Sequence, residues 1–266
     1  MILSEITDYL EEVAPLRFQE SYDNAGLIVG ESDMEVTGVV VSLDATEAVV
    51  HDAIEQGCNV VISHHPIVFR GIKKFNHNYY VDKAVISAIK HDLALYAIHT
   101  NLDNVLQNGV NEKIAQKLNL SNVRSLRPHP STHLETAYQV GSGAMGRMSE
   151  SLDGEAFIAY LKSKMGLKLV RHTRLLENKV SNIAICGGAG SFLLPSAISA
   201  GADVFITADY KYHEFFDAND EIVIMDIGHY ESEYYTIELL IELLSKKFPN
   251  FAPHYTKVVT NPVYYS

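Results

Sequence analysis

A chain of 266 residues, 47% hydrophobic and 20% charged, is long enough to bury a sizeable core in one large domain or two lobes. Its formal net charge of −12 disfavours nucleic acid and anionic membrane as partners, and no run approaches the ~20 apolar residues that a membrane span needs. Cys58 and Cys186 stand alone, outside any disulfide or zinc-ribbon spacing, and the start lacks a secretion signal, so a soluble, cytoplasmic protein is expected.

In chain order, Ile2, Leu3, Ile6, Leu10 and Val13 recur at helical spacing and Pro15 follows, which predicts a packing helix. Asp23 and Asn24 before Gly26 read as ordinary turn chemistry leading into a short apolar strand. Three strand–helix units come next: strand 36–43, closing at Asp44, with helix 46–56; strand 59–63 with helix 81–91; strand 93–98 with helix 110–118. Such alternation predicts a parallel sheet covered on both faces. Residues 124–133 hold two prolines and two histidines and read as a linker between lobes. Residues 137–147 alternate weakly, 155–165 are helical and 168–172 a strand.

The second half repeats the plan. Strand 180–186 runs into Gly187-Gly188-Ala189-Gly190, read as a tight turn, with a helix to Ala200. Strand 204–207 ends in Ala208-Asp209, strand 222–225 in Asp226-Ile227-Gly228-His229, and a long helix covers 231–248. The expected fold is therefore α/β, two related lobes with mostly parallel sheets. The expected division is a first lobe over 1–125, a second over 126–228, and a C-terminal helix and tail over 229–266.

The chemistry gathers where strands stop. Val60, Val61 and Ile62 form a buried-strand run that must end at Ser63-His64-His65, because Pro66 has no N–H for a ladder. Open α/β sheets place ligands at that carboxyl edge. His64, His65, His99, Asp103, His229 and Glu233 all fall at such ends, with His99/Asp103 and His229/Glu233 each four apart. Adjacent imidazoles diverge, so each suits a different ion of a close pair with a carboxylate between the ions; Asp103 and Glu233 are the available bridges. Imidazole and carboxylate without thiolate suit zinc, iron, manganese or cobalt.

Six stretches together resemble the Nif-three-like proteins, also called GTP cyclohydrolase 1 type 2 homologues. They are Asp23-Asn24-Ala25-Gly26-Leu27, Ser63-His64-His65-Pro66 with Phe69, and His99-Thr100-Asn101-Leu102-Asp103. Further on come Gly187-Gly188-Ala189-Gly190, Thr207-Ala208-Asp209-Tyr210-Lys211-Tyr212-His213, and Asp226-Ile227-Gly228-His229 with Ser232-Glu233. The family commonly has glycine where this chain has Ala208, a small-for-small change. The resemblance implies a dinuclear metal centre with ligands His64, His65, Asp103, His229 and Glu233, the last bridging, and His99 as a further ligand or a group behind them. It also implies two α/β lobes with the metal cleft between them and a homohexamer built from dimers. At this length the chain matches the short form without an inserted mid-chain domain.

The function so implied is a metal-dependent hydrolase or cyclohydrolase acting on a small, nucleotide-like substrate, with His213 or His99 as proton donor. The alternative is a non-catalytic metal-binding ring serving as scaffold, metal-delivery or regulatory factor.

Overall fold

The computed structural model describes residues 1–129 and 139–266. Among them the strands are β1 (Gly26–Val29), β2 (Val39–Asp44), β3 (Val60–His65), β4 (Ala94–Ala97) and β5 (Ser121–Pro128). There follow β6 (Gly141–Leu152), β7 (Arg171–His172), β8 (Val180–Ala189), β9 (Val204–Ala208), β10 (Val223–Asp226) and β11 (His254–Tyr255). The helices are α1 (Leu3–Val13), α2 (Glu47–Glu55), α3 (Tyr80–Lys90), α4 (Thr100–Asp103) and α5 (Val110–Lys117). The remaining four are α6 (Gly154–Met165), α7 (Leu194–Ser199), α8 (His229–Glu233) and α9 (Tyr235–Lys247). No described helix is long and apolar enough to cross a membrane. The chain forms two compact units, Met1–Leu102 with Thr236–Pro262, and Asp103–Tyr235 with Val263–Ser266.

In the first unit the strand order is β1-β4-β3-β2-β11. All neighbours are parallel except β1 against β4, which makes β1 an antiparallel edge. Val40, Val61 and Leu95 from the central strands pack with Val49, Val50 and Ala53 of α2 and Ala84 and Ala88 of α3. Burial on both strand faces is why these strands read as continuous apolar runs. Thr46 starts α2 by accepting the Val49 N–H on its hydroxyl. The register sets Asp44 of β2 opposite His65 of β3.

The second unit has the order β5-β6-β8-β9-β10-β7, with β8, β9 and β10 parallel and the flanks antiparallel. Its core joins Ala184, Phe205 and Ile224 to Leu193, Leu194 and Ala197. Asp153 caps α6 through the Ala156 N–H, and Gly166 closes that helix at φ +68°.

Three expectations change. Residues 124–128, read as linker, are the end of β5, paired with β6. Pro128 is tolerated there because it is the last residue of an edge strand. The rest of that linker reading, residues 130–133, lies outside the described residues. The Gly187–Gly190 segment is not a turn: β8 continues through Ala189, and its glycines are needed for a different reason, given below. The single helix expected over 231–248 is two, α8 and α9.

Candidate metal centre

In the first unit, β3 delivers His64 and His65 at its carboxyl end, and the chain leaving β4 delivers His99. One ligand-type atom from each lies within 4.8 Å of the others. The ring centroids are 4.9 Å apart for His64–His65, 5.2 Å for His64–His99 and 5.3 Å for His65–His99.

Each ring is held from behind through Nδ1. His64 donates to the Ile98 carbonyl, His65 to Asp44 Oδ1 and His99 to Asp23 Oδ1, all at 2.8 Å. A carbonyl or an ionised carboxylate only accepts, so Nδ1 carries a proton and Nε2 is the nitrogen left for a metal to take. Burial alone would raise the Asp23 carboxyl, but His99, Thr100 and the Asn24 N–H outweigh it and bring it down to about 2. Burial opposes the charge of Asp44 as well; His65 and Thr260 prevail and hold that carboxyl below its ordinary value. Thr260 Oγ1 donates to Asp44 Oδ2 at 2.5 Å, so the segment after β11 braces the carboxylate that braces His65. Asn101 fixes the His99 loop, accepting the His99 N–H and donating to the Ala14 carbonyl at 2.6 Å.

The second unit builds a different cluster. Asp103 and Glu233 bring carboxylate oxygens within 4.8 Å of each other, and His229 Nε2 lies 3.0 Å from Glu233 Oε2. His229 Nδ1 contacts Asp209 Oδ2 at 2.8 Å. Asp209 sits at φ +59°, a left-handed conformation that aspartate tolerates better than most residues. Burial lowers the His229 pKa, yet its hydrogen bonds to Asp209 and Glu233, with their charges, push it up to about 11. Glu233 is 3% exposed and rests on Gly188, where a Cβ would lie 2.3 Å from Glu233 Oε1. That is why β8 carries glycine there, at φ +63°. Ser232 locks the arrangement by accepting the Gly188 N–H at 2.9 Å and donating to the His229 carbonyl. Burial, then Asp103 and Glu233, raise the Cys186 thiol, which keeps it protonated in metal-free protein.

All five residues expected as ligands thus fall in one of two clusters, and His99 joins the first. His213 does not enter a ligand group among the described residues. It lies exposed in a short 3-10 helix, Tyr212–Ala218, with its ring 5.1 Å from Tyr212 and 6.5 Å from Phe216. Sequence reasoning missed Asp23, Asp44, Asp209 and Thr260, the groups that orient imidazoles. The donor set, imidazole Nε2 lone pairs plus buried carboxylates, fits divalent transition metals.

The Duf34/NIF3 (NGG1p interacting factor 3) family profile matches residues 1–262. The chain belongs to that family. A Clostridium perfringens relative named GTP cyclohydrolase 1 type 2 homolog is 32% identical over 235 residues, covering 88% of this chain and 87% of that protein. A Staphylococcus aureus relative of the same name is 28% identical over 347 aligned positions, 93% of this chain and 94% of that protein. That alignment is longer than this chain, so this NIF3 protein lacks an insertion that the relative carries. The crystal structure of Staphylococcus aureus hypothetical protein SA1388 superposes with a TM-score of 0.91 at 33% identity, covering 100% of this chain and 99% of that one.

Proposed function

We propose that His64, His65, Asp103, His229 and Glu233 hold a pair of divalent cations, zinc, iron, manganese or cobalt, with Glu233 bridging. The protein is then a metal-dependent hydrolase or cyclohydrolase acting on a nucleotide-like substrate. The observation that carries the metal half is the bracing of the imidazoles through Nδ1, the arrangement that orients metal-binding histidines. The substrate half is supported by the relatives' name.

When bound, such ions supply Lewis acidity toward a reacting carbon or phosphorus and a water acidic enough to act near neutral pH. The chain's own residues orient and move protons. Asp23 accepts from His99 Nδ1–H, which orients Nε2 as the nitrogen that takes up and returns a proton. We assign proton transfer to His99 ahead of His213, which stands exposed among aromatic rings. The proposed assembly, following the family resemblance, is a cytoplasmic homohexamer; a sedimentation mass equal to that of one 29.6 kDa chain would end it.

The test is metal analysis beside turnover. Wild type, His64→Ala and His99→Gln are loaded with metal and incubated with GTP and a panel of phosphoesters. His64→Ala should lose metal and turnover together, and His99→Gln should keep metal and lose turnover. Wild type that holds metal and converts nothing removes the hydrolase reading.

A further inference from the structure

Between Glu55 and Asp82 the chain has no carboxylate side chain, although its net charge is −12. The same stretch carries Arg70, Lys73 and Lys74, all exposed. Interleaved with them are Phe69, Phe75, Tyr79 and Tyr80, from 47% to 58% exposed. Four large apolar rings and three like charges on one exposed segment have no packing rationale: the rings gain little from burial and the charges repel.

The placement of the segment supplies a rationale. At its start, the Phe69 ring meets His99 edge-on at 5.5 Å. Asn24, beside the carboxylate that braces His99, donates to the Val68 carbonyl at 2.7 Å and anchors the chain there. At its far end, the Tyr79 and Tyr80 rings lie 4.6 Å apart where α3 begins. Burial and Tyr79 raise the Tyr80 hydroxyl, and Asp44, the carboxylate behind His65, adds to the rise. The start of the segment therefore lies against the three-histidine cluster. Surface loops carried by a rigid scaffold are frequently functional.

We infer that residues 69–80 form a recognition loop for a small anionic molecule with a planar ring. Arg70, Lys73 and Lys74 take the charged end, and Phe75 and Tyr79 take the ring. Arginine and lysine supply the donors that phosphate-type oxygens accept, and tyrosine and phenylalanine faces stack on planar heterocycles. A local excess of cations on an acidic protein also draws such ligands toward the cluster. This deepens the substrate half of the proposed function and rests on it.

The test uses the metal-loaded protein and three probes: GTP, inorganic tripolyphosphate and guanosine. The variants are Arg70→Gln/Lys73→Gln/Lys74→Gln and Phe75→Leu/Tyr79→Leu, with metal content and circular dichroism measured on the same samples. The charge variant should keep its metal and weaken GTP and tripolyphosphate by about tenfold at low salt, with a flatter salt dependence and guanosine unchanged. The ring variant should weaken GTP and guanosine by about threefold and leave tripolyphosphate alone. GTP binding unaltered in the charge variant overturns the inference, as does a wild type that binds none of the probes. Single-stranded DNA displacing GTP at equal concentration overturns the small-molecule assignment. A wild type that binds the probes but retains no metal defeats the metal-centre reading and leaves the loop standing.

Discussion

The two clusters solve the same problem, holding an imidazole in place, with different partners. In the first unit three rings converge, each donating through Nδ1 to an acceptor behind it. In the second, one ring lies between two carboxylates, and that pair drives His229 up to about 11. The second already holds a proton, which a metal must displace.

The largest effect that separates the clusters should come from Gly188→Ala. A Cβ 2.3 Å from Glu233 Oε1, on backbone at φ +63°, must move the carboxylate or the strand. A loss of about 2–4 kcal/mol in denaturant unfolding is expected, with metal affinity lost as well. Unchanged stability would mean that Glu233 is not seated on that glycine.

Next comes Asp23. Its carboxyl titrates at about 2 in the fold against an ordinary 3.8, so its contribution is present above about 3.8 and is lost as pH falls through about 2. Asp23→Asn should cost on the order of 2 kcal/mol at neutral pH, and its deficit against wild type should shrink on acidification through that window. A constant deficit at all pH values would contradict the charge-based bracing of His99.

His229 provides the reverse sign. Its folded value of about 11 exceeds the ordinary 6.5, so in metal-free protein its contribution is complete below about 6.5 and is lost as pH rises through about 11. Proton magnetic resonance should find His229 charged at pH 8, and calorimetry in buffers of different ionisation enthalpy should find proton release on metal binding. Asp209→Asn should reduce that release. Metal uptake without proton release would erase the contrast between the clusters.

The smallest effect belongs to Thr260. Thr260→Val removes one hydrogen bond to Asp44 and should cost about 1 kcal/mol, shifting the His65 ring resonances, with Thr260→Ser restoring both. Equal losses in valine and serine variants would assign Thr260 to packing alone.

What the sequence discloses follows chain distance. Val60–Ile62 stopping at Pro66 places two histidines at a strand end without any tertiary knowledge. The alternating strands and helices disclose the α/β class for the same reason, because each element carries its own period. Asp44 is different: it braces His65 from 21 residues away, and only the β2–β3 register brings them opposite. Thr260 reaches Asp44 across 216 residues. Asp23 and Gly188 look like turn residues because aspartate and glycine are common in turns, while their actual partners, His99 and Glu233, lie far along the chain. Residues 124–128 look like linker because proline marks loops, and an edge strand's last position accepts it.

The central claim is most directly tested by metal stoichiometry, measured by elemental analysis after loading with zinc, iron, manganese or cobalt salts and gel filtration. The account predicts about two ions per chain for wild type, and loss of metal in both His64→Ala and Glu233→Gln. Wild type that emerges without metal from every salt, or a Glu233→Gln protein that keeps the full complement, would contradict it.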